Sequence, residues 1–106
     1  MKPMKQVLDE MESELPVDIA GVRPRLHRAV NDILLMQGVK YDIVKVQSDC
    51  YHIHRFSTSV FEDNAVTYQV ERGNGKWKCD CPDHERAPYN LCKHVLATMV
   101  QHGMEG

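Results

Sequence analysis

The stretch "CDCPDHERAPYNLCKH", residues 79–94, decides how this chain is read. Three of the chain's four cysteines fall there, and a histidine closes the run two positions after the last of them. Cys79, Cys81, Cys92 and His94 stand as C-x-C-x10-C-x-H. Structural zinc sites take four soft or borderline donors in a tetrahedron, and three cysteines with one histidine are a common set. Side chains two apart on a strand face the same way, so Cys79 and Cys81 can meet one ion. Pro82 turns the chain out of the strand, and the polar loop "DHERAPYNL" is long enough to bring Cys92 and His94 back. Those two open a helical segment, where backbone N–H groups and the helix dipole favour a thiolate.

Other uses of these cysteines fit less well. A thioredoxin-like pair needs C-x-x-C at the start of a helix, which the sequence lacks. A disulfide between Cys79 and Cys81 would close a very short, strained ring. A catalytic pair of Cys92 and His94 would leave the C-x-C without a role. Zn2+ held by Cys79, Cys81, Cys92 and His94 is the expected cofactor.

Working outward, "KWKCDC" is preceded by "GNG" at 73–75, a strong turn signal, and by "AVTYQVER". Val66, Tyr68 and Val70 alternate there with Thr67, Gln69 and Glu71, so the two segments read as a hairpin with one apolar face. Upstream, "YDIVKVQS" and "YHIHRFST" read as two further strands. After the cysteines, Val95, Leu96, Met99 and Val100 recur at helical spacing as far as Gly103. At the start of the chain, Met4, Val7, Leu8, Met11 and Leu15 mark an amphipathic helix that Pro16 ends. A second helix is expected from about residue 22 to 37, with Pro24 in its first turn and Gly38 past its end. Its core stripe is Val22, Leu26, Val30, Ile33 and Leu34. Leu35 points elsewhere, and the first helix is expected to cover it. The fold class is α+β: two N-terminal helices, a small antiparallel sheet with a hairpin, and a C-terminal ββα zinc finger. Residues 1–21 form an N-terminal extension and residues 22–102 the zinc-binding domain.

The chain of 106 residues has room for one domain. No apolar run approaches the roughly 18 residues of a membrane span, and the acidic start does not read as a secretory signal. An intracellular setting is expected, cytoplasmic or nuclear, where disulfides are rare and close-set Cys and His bind metal or do redox work. The net charge of −2 excludes a strong non-specific polyanion binder. Local patches differ: residues 1–21 are acidic, whereas 22–47 and 72–94 are basic. Arg25, Arg28, Lys76, Lys78, Arg86 and Lys93 are the candidates for a phosphate-binding surface.

The chain resembles the SWIM-type zinc finger. The likeness rests on C-x-C and C-x-H, with "CDCPDH" ahead and "CKHVLA" behind. It extends upstream through "RPRLHRAVNDILLMQG", "YHIHRFSTS" and "TYQVERGNGKWKCDCPDH", so it covers roughly residues 22–100 and leaves the first helix outside. The aromatic usual after "CPD" is here His84. The resemblance implies a ββα finger with Cys79, Cys81, Cys92 and His94 as zinc ligands. It also implies DNA or protein binding, since such fingers occur in transposases, helicase-like ATPases and recombination accessory factors.

Lesser signals have plainer readings. Cys50, His52 and His54 are expected on the weaker face of a strand whose Tyr51 and Ile53 point inward. His84 reads as a solvated loop histidine, and Trp77 as a core anchor rather than a base-stacking platform. No Gly-rich phosphate loop, paired-carboxylate motif or nucleophile elbow appears, and a four-ligand zinc has no position for a reacting water. The expectation is a non-enzymatic module acting in DNA transactions, by DNA binding or by recruitment to a recombination, transposition or helicase partner. A pure protein–protein adaptor is the alternative. DNA, a larger DNA-processing protein, or both are the expected partners, with no membrane and no small-molecule substrate. The oligomeric state is left open.

Overall fold

The computed structural model describes residues 1–16, 18–57 and 64–105. Helix α1 spans Met4–Glu14, and α2 starts at Val22–Arg28. Four strands follow, β1 (Tyr41–Gln47), β2 (Cys50–Arg55), β3 (Val66–Gly73) and β4 (Lys76–Cys79). The last helix, α3, spans Lys93–Glu105. The strands form one antiparallel meander in the order β1-β2-β3-β4. The strand expected over 51–58 begins at Cys50, and its expected end at Thr58 lies outside the described residues.

Alternation decides which face of the sheet is covered. Ile43, Ile53 and Tyr68 stand opposite one another across three strands, as do Tyr51, Val70 and Cys79. Tyr51, Ile53 and Val70 are fully buried under the helices. The other face carries Val44, His52 and Gln69 in one row and Asp42, His54 and Thr67 in the next. The hairpin between β3 and β4 closes on Asn74 and Gly75, whose φ values are 55° and 76°. Two successive positive φ values give the turn whose twist matches that of the strands, and Asn-Gly tolerates them at least cost.

The helix expected over 22–37 is not one regular helix. After Arg28 the backbone widens into a π-helical stretch at Ala29–Ile33 and then tightens to a 3-10 turn at Leu34–Met36. The changes of pitch shift the phase of the apolar stripe. Ala29, Ile33 and Leu34 are buried, whereas Val30 is only half-buried. Leu35 is 61% exposed, so the expectation that α1 covers it is corrected. Helix α1 docks instead on the far end of α3. Val7 and Met11 are its buried residues, and the Lys2 amide donates to the Met104 carbonyl at 3.1 Å. Gly103 makes the close approach possible, because a Cβ there would stand 2.8 Å from Val7 Cγ1.

Helix α3 lies at the centre of this arrangement. Val95, Leu96, Ala97, Thr98 and Val100 are all buried. Its C-terminal end is pinned to the sheet by Tyr51, whose hydroxyl donates to Glu105 Oε2 at 2.7 Å and lies 3.1 Å from His102 Nδ1. Burial, together with the Glu105 carboxylate, raises the Tyr51 pKa well above the usual phenol range, so the hydroxyl stays a donor. Trp77 packs beside this contact, 6.1 Å from the Tyr51 ring and 5.4 Å from that of His102.

Candidate metal centre

The hairpin and the start of α3 bring together the four residues that the motif singles out. The donor atoms of Cys79, Cys81, Cys92 and His94 all lie within 4.8 Å of one another, and all four residues are buried. Cys79 ends β4, facing α3 on the covered side of the sheet. Asp80 holds the exit from the strand: its amide donates to the Gln69 carbonyl at 3.3 Å, and its carboxylate accepts from the Gln69 amide at 3.0 Å. The Cys81 amide turns back toward Cys79 Sγ at 3.4 Å. Cys92 stands just ahead of α3, its carbonyl accepting from the Leu96 amide at 3.0 Å. Its sulfur also accepts from the Val95 amide, in the manner of a helix cap.

Electrostatics and hydrogen bonding both mark this cluster as unfinished without a cation. The thiol of Cys79 donates to Cys92 Sγ, which raises the Cys79 pKa; burial adds to the effect. The same bond, helped by His94, the Val95 amide and the nearby His84, lowers that of Cys92, against the cost of burial. Burial and the charge of Cys92 raise that of Cys81. The proton belongs to the pair of sulfurs and not to either cysteine alone. Three thiolates would repel one another in this low-dielectric pocket, and a divalent ion removes that obstacle. His94 gives the second sign. It is 4% exposed, and both ring nitrogens are buried without a hydrogen-bond partner among the described residues. An imidazole left so is costly, and a metal ion takes up one of those nitrogens. Tyr68 fixes the ring from one side, 4.2 Å away between centroids. The residues present fit a metal ion held by three sulfurs and one nitrogen.

The loop between the two ligand pairs is tied down from α2. Asp83 receives the Arg25 guanidinium through both carboxylate oxygens, at 2.8 and 2.9 Å. Arg25 also donates to the Gly21 carbonyl at 3.0 Å. Gly21 has φ 93°, which favours glycine, and a Cβ there would stand 2.7 Å from Arg25 Nη1 and push that side chain aside. The Arg25 side chain is only 16% accessible, and the Asp83 carboxyl is held below the usual carboxylate range by this pairing. Arg25, one of the expected phosphate-binding candidates, thus has its guanidinium engaged by Asp83. A lysine cannot reproduce a two-pronged bond. Arg25→Lys is expected to cost about 1 kcal/mol, a figure kept low because Asp83 is nearly half exposed. It should also quicken metal loss to a chelator, and stopped-flow release of the ion would check it.

Two clefts take in most of the remaining basic candidates. Arg28 and Lys93 share a cleft of about 300 Å³ with Arg25 and Asp83. Lys76 and Lys78 line a separate cleft of about 550 Å³. Arg86 is exposed and lines neither. The solvated-loop reading of His84 is also corrected: its Nδ1 is buried, and the ring lies near Cys92. Trp77 is half-buried, with the Arg72 guanidinium 5.1 Å from its ring centre, so it is no free stacking platform. Cys50, His52 and His54 join no metal cluster among the described residues. Sequence reasoning missed Tyr89, which is 69% exposed at φ 55° and ψ 24°. A bulky residue in that left-handed region is uncommon, and no sequence signal announced it. No helix among the described residues is long and apolar enough to cross a membrane. Comparisons with protein-family models, with curated proteins and with solved structures found no match for this chain.

Proposed function

We propose that this chain is a zinc-stapled, SWIM-type interaction module that acts in DNA transactions, touching DNA itself or joining a larger DNA-processing protein. The observation that carries the reading is the buried cluster of Cys79, Cys81, Cys92 and His94, which joins a hairpin to a helix. Zinc is the ion this donor set suits, since thiolates with imidazole in a tetrahedron select it among common divalent metals. With four protein donors the ion is saturated, so it fastens the fold and the module is no enzyme. Residues 22–102 make up the proposed module and residues 1–21 its extension. One zinc per chain is expected, with three sulfurs and one nitrogen in its shell, and X-ray absorption at the zinc edge checks it. An oxygen-rich shell contradicts the reading.

Direct DNA contact draws its support from Lys76, Lys78, Arg86, Arg28 and Lys93, whose ammonium and guanidinium groups can neutralise phosphates. The double change Lys78→Glu and Lys93→Glu is expected to weaken binding evenly across sequences and to flatten its salt dependence. A salt titration on duplex and single-stranded DNA measures both. The two residues line different clefts, so the single changes tell which one meets the backbone. A specific observation favours the adaptor reading as well, namely an open sheet edge beside the metal centre.

A further inference from the structure

Strand β4 is the last in the sheet, and among the described residues only its β3 side is paired. The cleft of about 550 Å³ is lined by residues 75–79 in unbroken succession, so it runs along the strand itself. Neighbours that point to opposite faces can line one cleft only along the strand's free edge. The opposite wall comes from Val95 and Met99, one turn apart on α3, and from His84, Tyr89, Asn90 and Leu91 in the loop that leads into it. The cleft is thus a groove between an unpaired strand and a helix.

The backbone of β4 has a definite polarity there. Asp80 donates to the Gln69 carbonyl, and the two-residue turn at Asn74 and Gly75 fixes the pairing from the other end. By alternation, the amides of Lys76 and Lys78 face β3, while those of Trp77 and Cys79 face the groove. No backbone bond to another element engages Trp77 or Cys79 among the described residues. Lys76 and Lys78 form no ion pair among the described residues, although Glu71 stands opposite Lys78 in register. The free edge therefore offers alternate backbone donors and acceptors, an apolar floor and two unneutralised cations.

We infer that this groove captures an extended peptide segment as a fifth strand beside β4, with an apolar side chain between β4 and α3 and acidic side chains at Lys76 and Lys78. The inference rests on the interaction-module reading and names the partner's chemistry. Main-chain bonds to the edge supply affinity, and the pocket for alternate side chains supplies selectivity. The two cations select acidic neighbours by charge complementarity. A nucleic-acid strand could use the lysines and single amides, but its backbone carries no alternating donors and acceptors to match the whole edge.

The test is selection of randomised, end-blocked heptapeptides on the full-length protein purified with its metal, followed by amide NMR. The expected winners carry acidic residues around an apolar one, and their binding shifts the amide protons of Trp77 and Cys79 downfield. N-methylation of alternate peptide amides, or Lys76→Glu with Lys78→Glu, should each weaken binding at least ten-fold. The remote charge change Lys40→Glu should leave it unaltered. Failure to enrich any peptide, or enrichment of peptides indifferent to both changes, overturns the inference. If DNA instead binds and shifts amides away from β4, strand capture is overturned while the interaction-module reading stands. If neither peptide nor DNA binds, both are overturned.

Discussion

Removing the metal with a chelator, or changing Cys92 to serine, is expected to abolish amide protection in residues 77–102 before it is lost in residues 22–37. Structural zinc in small domains contributes an apparent 10–16 kcal/mol of binding free energy, and that energy is folding free energy where the site forms only in the folded chain. A whole domain is stable by about 5–15 kcal/mol, so loss of the ion is of the same order as the entire margin. The effect should start where the ligands are. Without a cation, the three buried sulfurs and a His94 ring whose nitrogens have no hydrogen-bond partner among the described residues are a cluster that the fold is better off opening. The hairpin would then part from α3, and α1 should follow because Val7 and Met11 are held against the end of that helix. Hydrogen exchange with and without chelator measures this. Full protection in both regions after complete metal loss would show that the ion is a passenger in the fold.

The second large effect needs no metal chemistry. Leu96 is fully buried on α3, within the core cluster that also contains Val22, Ile33 and Val70. Leu96→Ala is expected to cost about 2–5 kcal/mol, through lost transfer energy and the cavity left behind. Urea unfolding at saturating metal should show it as a lower midpoint with an unchanged slope. Leu35→Ala is the matched control: at 61% exposure it should change stability by less than about 0.5 kcal/mol. Similar losses from the two changes would mean that Leu35 is covered after all.

What could be read in the chain alone divides by the range of the forces involved. The Cys79, Cys81, Cys92 and His94 cluster was legible because donor chemistry and short spacing restrict the options before any fold is known. The β3–β4 hairpin was legible because Asn74 and Gly75 accept positive φ and Val66, Tyr68 and Val70 alternate. Where the signal depended on distant partners, reading failed. Arg25 looked like a solvated cation, and nothing near it in sequence reveals Asp83, which lies 58 positions away. Leu35 was misplaced because an ideal helical wheel assumes one pitch, whereas this segment passes through three. The docking of α1 on α3 turns on the missing Cβ of Gly103, which in sequence looked only like a helix stop. His84 gained its place near Cys92 from the fold of the loop rather than from its neighbours. The groove beside β4 was invisible for the same reason, since its walls are assembled from a strand edge and a helix.

The bond between the Lys2 amide and the Met104 carbonyl sets the residues ahead of α1 beside the last turn of α3, so the path between them closes on itself. Topologically the fold is therefore closer to a loop than to a line. A short engineered bridge between positions 2 and 104 would close that circuit, and the chain between them could be opened at an exposed turn without redrawing the sheet. Covalent closure would remove chain entropy from the unfolded ensemble and leave every folded contact as it is. Helix α1 would gain most, because its hold on α3 would then be strung between two fixed points.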